Sequence, residues 1–106
     1  MEYQECAMNV IIDFSIFPMD KGESVGVYAS RAVKIIRQSG LAYHVGPMGT
    51  AIEGGWDETI GVIGRCLEDL QKDCDRVYMT MKVDYRKEGG PGRIVKKIET
   101  VKAKSS

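Results

Sequence analysis

One stretch near the middle of the chain leaves few choices of fold: Tyr43-His44-Val45-Gly46-Pro47-Met48-Gly49-Thr50-Ala51-Ile52-Glu53-Gly54-Gly55-Trp56. Two glycines and a proline fall within Gly46-Pro47-Met48-Gly49, a dense turn signal. Leu41 to Val45 before it and Thr50 to Glu53 after it read as short strands, so the turn closes a hairpin. Gly54-Gly55 is expected to break the second strand. Trp56-Asp57 is expected to open a helix capped by Asp57. That is more local specification than a plain hairpin needs, and it marks the stretch as one wall of a ligand site.

The flanking segments supply the rest of the fold. Met8, Val10, Ile12, Phe14 and Ile16 recur at period two, which predicts a strand over Met8 to Phe17 with one apolar face. Its other face, Asn9, Ile11, Asp13, Ser15 and Phe17, is mixed, and Pro18 ends it. Ser24 is the expected N-cap of a helix whose stripe is Val25, Tyr28, Ala29, Ala32, Val33 and Ile36. Gly40 stops that helix. After the hairpin, Thr59, Ile60, Ile63, Cys66, Leu67 and Leu70 form the stripe of a second helix. Gly61 and Gly64 within it suggest close backbone packing. Arg76 to Arg86 alternates again and predicts the last strand. Ile94, Val95, Ile98 and Val101 then predict a short basic terminal helix, with Ala103 to Ser106 frayed.

The order β-α-β-β-α-β plus a terminal helix gives two split β-α-β units. They build a four-stranded antiparallel sheet with both main helices on one face, the α+β ferredoxin-like architecture. With 106 residues the chain is expected to form a single domain over 1–106. The helices are expected to cover the apolar face. The second face, with Ile11, Asp13, Ser15, Tyr78, Thr80 and Lys82, is too apolar for water throughout and too polar for a dry core. It suits a second subunit or the floor of a small-molecule pocket.

Composition excludes several functions. Fifteen basic and fifteen acidic residues cancel, so net charge gives no push toward nucleic acid. Lys82 to Lys104 carries eight Lys/Arg against three Asp/Glu and reads as the solvated face of a terminal helix. Cys6, Cys66 and Cys74 form no Cys-x-x-Cys pair and no even framework, which fits a reducing cytoplasmic setting. One histidine and no ligand-spaced cluster argue against a metal. No apolar run approaches the ~20 residues of a membrane span.

Candidate site residues follow from chemistry. Glu53, beside the double glycine, can accept a hydrogen bond from a protonated amine or ring nitrogen, or can cap the second helix. Thr50 can donate to a ligand or simply favour a strand. Trp56 can stack on an aromatic ring or plug the core. His44 is the one near-neutral acid–base group but has no nucleophile partner in sequence. Asp84 and Arg86, two apart, suggest an ion pair or a subunit contact. Gly89-Gly90-Pro91-Gly92 matches no nucleotide-binding fingerprint.

Several strings together resemble a known group. Ser39-Gly40-Leu41-Ala42-Tyr43, Pro47-Met48-Gly49-Thr50-Ala51-Ile52-Glu53-Gly54, Arg76-Val77, Lys82-Val83-Asp84-Tyr85-Arg86 and Lys97-Ile98-Glu99-Thr100-Val101 are similar to the small thiamine-binding protein family. The likeness spans Met8 to Lys104. It implies a ferredoxin-like fold, a homo-oligomer (homodimer or homotetramer), and binding of thiamine or its hydroxymethylpyrimidine part without catalysis and without a cofactor. Ser24 matches one of two serines the family often has at the entry to the first helix, and Gly26 stands where the second is usual. A cationic thiazolium and a flat pyrimidine want aromatic faces, a carboxylate and hydroxyls. The expected ligand-binding set is therefore Ser15, Ser24, Tyr43, Thr50, Glu53 and Trp56. The expectation is a cytoplasmic binding protein that is not an enzyme and binds neither nucleic acid nor membrane. The alternative is a regulatory or scaffold protein whose open sheet face serves only assembly.

Overall fold

The computed structural model of the chain describes residues 9–22, 25–87 and 90–105. The elements run β1 (Asn9–Pro18), α1 (Val25–Ser39), β2 (Ala42–Val45), β3 (Thr50–Gly55), α2 (Trp56–Leu70), β4 (Val77–Tyr85) and α3 (Arg93–Ser105). The sheet order is β2-β3-β1-β4 and every pairing is antiparallel. This is the ferredoxin-like arrangement expected from the element order. Met8, Ser24 and the first part of the Gly89-Gly90-Pro91-Gly92 loop lie outside the described residues, and so does Cys6.

Period-two alternation decides what each strand buries. Val10, Ile12, Phe14 and Ile16 of β1 are all buried, and Ile52 of β3 is fully so. Against them pack Ala32 and Ile36 of α1 and Val62, Ile63, Cys66 and Leu70 of α2. Burying each aliphatic side chain of this kind contributes about 1.5–3 kcal/mol. Burial also pushes the Cys66 thiol up to about 11, so it is an inert core group rather than a reactive one. Gly40 ends α1 at φ +80°, as its place after the last stripe residue requires.

Arg31 ties the two helices together. Its guanidinium donates to Asp69 Oδ2 at 2.9 Å, to the Asp69 carbonyl at 2.8 Å and to Asp73 Oδ2 at 3.0 Å. These bonds hold both carboxylates below the usual range and raise Arg31. A depressed folded value stabilises the native state fully above the unfolded value of about 3.9 and is lost as pH falls through the folded values. Thermal melts of Arg31→Met should therefore lie below wild type near pH 7, and the gap should close at pH values below about 3.9. A gap independent of pH would mean that Arg31 acts through packing alone.

Several local expectations are corrected. Gly54-Gly55 does not break β3, because the two residues pair with Val10 and Asn9. Gly54 is needed for space: a Cβ there would meet Leu41 Cδ2 at 3.1 Å. The N-cap of α2 is Gly55, whose amide donates to Glu58 Oε1 at 3.2 Å, and Asp57 lies in the first turn. Gly61 and Gly64 face open space, since a Cβ at either meets nothing within 4 Å, so close packing does not account for them. Asp84 pairs with Lys97 Nζ at 2.8 Å and lies 3.8 Å from Arg93 Nη1, rather than pairing with Arg86. The terminal helix continues through Ser105 instead of fraying at Ala103.

The helices also fail to cover the whole apolar face. Met81, Val83 and Tyr85 of β4 oppose Phe14, Ile12 and Val10 in register but stay exposed. Strand β4 lies at the sheet edge; Val77 and Met79 at its start still pack against the core, and its second half is left uncovered.

Candidate functional site

Strand parity sorts the expected site residues onto two faces. Tyr43 opposes Ile52, and Thr50 opposes Phe14, so both lie on the helix side. Glu53 opposes Ile11, and Ser15 opposes Thr80, so both lie on the open side. Thr50 and Glu53 are three apart in one strand, an odd spacing that forces them apart. The expected set therefore does not converge.

Glu53 is the clearest case. Its side chain is 5% exposed, and both oxygens are engaged. Oε2 accepts from the Arg93 amide at 3.1 Å and Oε1 from the Ile94 amide at 3.2 Å. The carboxylate caps α3, not α2, and compensates the positive end of the helix dipole. Arg93 is buried beside it. One of its Nη atoms reaches the carbonyls of Asn9 and Asp84 at 3.3 and 3.4 Å. Thus α3 covers one end of the open face, over Ile11 and Glu53. Beyond it, Ser15 Oγ and Thr80 Oγ1 are 3.1 Å apart, flanked by the Phe17–Tyr78 ring pair at 5.7 Å. His44 lies on this same side, opposite Ala51 and exposed.

The concave site is on the helix side. A cleft of about 340 Å³ opens between α1, the second half of β1 and the β2–β3 turn. Phe14, Ile16, Ala32 and Ile36 form its floor, Ala29 and Val33 its α1 wall, and Val45 through Thr50 its other wall. The cleft exists because α1 presents short side chains where the turn stands opposite. Ala29 and Val33 were expected to pack on the sheet; Ala29 is instead exposed and lines the opening.

The turn itself is held firmly. The Gly46 amide donates to the Gly49 carbonyl at 2.8 Å. A Cβ at Gly49 would stand 3.0 Å from the Phe14 carbonyl and one at Gly46 3.1 Å from the Gly49 carbonyl, so both glycines permit close approach without positive φ. Pro47 further restricts the backbone.

Of the expected residues, Thr50 lines the cleft and is nearly buried. Ser15 borders it, but its hydroxyl is turned to the open face. Tyr43 is partly exposed one register row away and does not line it. Trp56 is partly buried and packs against the core. Sequence reasoning missed the α1 wall and Met48. The turn string itself was the available signal, since six of its residues, Val45 through Thr50, all line one cleft. A larger groove of about 390 Å³ between α1 and α2 is lined by Ile35 together with Gln38, Ser39, Arg65, Glu68, Asp69 and Lys72, so charged side chains of both signs dominate it. Among the described residues no cluster of metal-binding side chains occurs, and no helix is long and apolar enough to cross a membrane.

The fold and cleft define a small ferredoxin-like protein with a site of small-molecule size. The chain belongs to the thiamine-binding protein family, whose model matches residues 12–102. It is 36% identical over 95 residues to the UPF0045 protein Mb1933 of Mycobacterium bovis, covering 89% of this chain and 92% of that one. A fungal relative, the UPF0045 protein ECM15 of Eremothecium gossypii, is 34% identical over 62 residues, 58% of this chain and 59% of its own. Among solved structures, the hypothetical protein MJ1052 of Methanocaldococcus jannaschii superposes with a TM-score of 0.75 at 32% identity, covering 86% of this chain and 96% of that one.

Proposed function

We propose that the chain is a non-enzymatic, cytoplasmic binding protein for thiamine or its hydroxymethylpyrimidine part, acting as a homo-oligomer, and that the ligand ring enters the cleft between α1 and the β2–β3 turn. The observation that carries this reading is the placement of the Pro47-Met48-Gly49-Thr50 string as one wall of an apolar cleft of about 340 Å³. A flat ring fits between the α1 wall and the turn, over Phe14 and Ile16. The Thr50 hydroxyl is the side-chain group on that wall able to hydrogen-bond a ring nitrogen or substituent. Family membership supports the ligand class. Ser24 remains part of the proposed set, and Glu53 does not, because its carboxylate is already committed to α3.

Calorimetry with thiamine and with hydroxymethylpyrimidine tests this. Binding of either compound is expected, with Thr50→Val weakening it about three- to tenfold, the worth of one net hydrogen bond. Absence of heat with both at millimolar concentration would sink the reading. The scaffold alternative, assembly through the open sheet face, draws on a different observation, the exposed Tyr78, Thr80 and Lys82 on that face. Light scattering that finds a stable oligomer in which neither compound binds would favour it.

A further inference from the structure

Met48 is the most exposed of the large apolar side chains on the described surface, at 88%, and it stands at the lip of the cleft. Its backbone is not loose. Pro47 precedes it, and the Gly46–Gly49 hydrogen bond closes the turn around it at 2.8 Å. Gly49 is held against β1 so closely that a Cβ would stand 3.0 Å from the Phe14 carbonyl. A rigid turn thus presents a long, unbranched and polarizable side chain at the mouth of an apolar site. Methionine suits this place because three rotatable bonds let it adapt to a ring, and its sulfur makes favourable contacts with aromatic edges. The α1 wall of the same cleft includes the short, exposed Ala29.

We propose that Met48 is the ligand-closing residue of this cleft: with the ring bound, its side chain swings from solvent over the mouth, packs on the ring and shields it from water. The inference rests on the cleft being the ligand site. It adds that the site is completed by one side chain moving on a fixed turn, without displacement of the hairpin. The gain is burial of an otherwise wetted thioether chain together with the outer face of the ligand, so its loss shows mainly in faster release.

The test is titration of wild type, Met48→Ala and Met48→Leu with hydroxymethylpyrimidine and with thiamine, alongside methyl NMR of protein carrying 13C-methyl methionine. Met48→Ala is expected to weaken binding about tenfold, chiefly through the off-rate, while Met48→Leu stays within about threefold because it keeps the volume. The Met48 methyl resonance should move upfield under the ring current at saturation, while Met79 and Met81 on β4 stay in place. Because Met48 is solvated in the free protein, Met48→Ala should melt with wild type. If wild type binds and Met48→Ala binds equally well, or the Met48 methyl does not move, closure by Met48 is overturned while the ligand reading stands. If wild type binds neither compound, both fall.

Discussion

Replacing Glu53 by alanine is expected to lower the unfolding free energy by about 2–4 kcal/mol, the largest loss of any single polar side chain described here. The reason is that one carboxylate satisfies two buried backbone donors at the start of α3, the amides of Arg93 and Ile94. Removing it strands both amides at the start of α3, beside the buried Arg93 side chain. Two of its nitrogens, Nε and Nη1, already lack a hydrogen-bond partner among the described residues. Glu53→Gln should cost about half as much, because its one carbonyl still accepts from an amide while the charge and the second acceptor are gone. Denaturant unfolding gives the free energies, and hydrogen exchange should show the protection of α3 lost before that of β1 or α2. Ligand affinity of the folded Glu53→Gln protein should be unchanged, because Glu53 lies across the sheet from the cleft. A variant with native stability but collapsed affinity would restore Glu53 as a ligand contact and contradict the capping role.

The largest effect on binding is expected from Ala29→Leu. Ala29 sits on the α1 wall of the cleft and is exposed, so a leucine there is compatible with the helix and occupies the space a ring would take. Binding of hydroxymethylpyrimidine and thiamine should become unmeasurable, while the melting temperature stays equal or rises as the groove fills. This combination separates a blocked site from a damaged fold. If Ala29→Leu binds as wild type does, the ligand enters elsewhere, and the open sheet face becomes the place to look.

The periodicities of Val10 to Ile16, of the α1 and α2 stripes, and of Val77 to Tyr85 were legible without coordinates, because burial of one face imposes a spacing that any reader can count. The turn at Gly46-Pro47-Met48-Gly49 was legible for a similar reason: its residue types serve one kind of backbone. The site was much less so. Thr50, singled out for its hydroxyl, lines the cleft, but its companions were chosen by chemical type along the chain. Parity alone would have separated Thr50 from Glu53. It could not have shown that Glu53 meets Arg93 and Ile94, which are 40 and 41 residues away.

What the sequence by itself determined is the architecture: element order, the antiparallel sheet, the buried face of β1 and the place of the hairpin. All of these follow from local periodicity and turn chemistry. Only the tertiary structure decided which groups share a site. The path of α3 claimed Glu53, the shortness of Ala29 against the turn opened the cleft, and the position of β4 at the edge left Met81, Val83 and Tyr85 uncovered. Each of these depends on how far one element lies from another, a distance set by the packing of many side chains at once and carried by no single stretch of sequence.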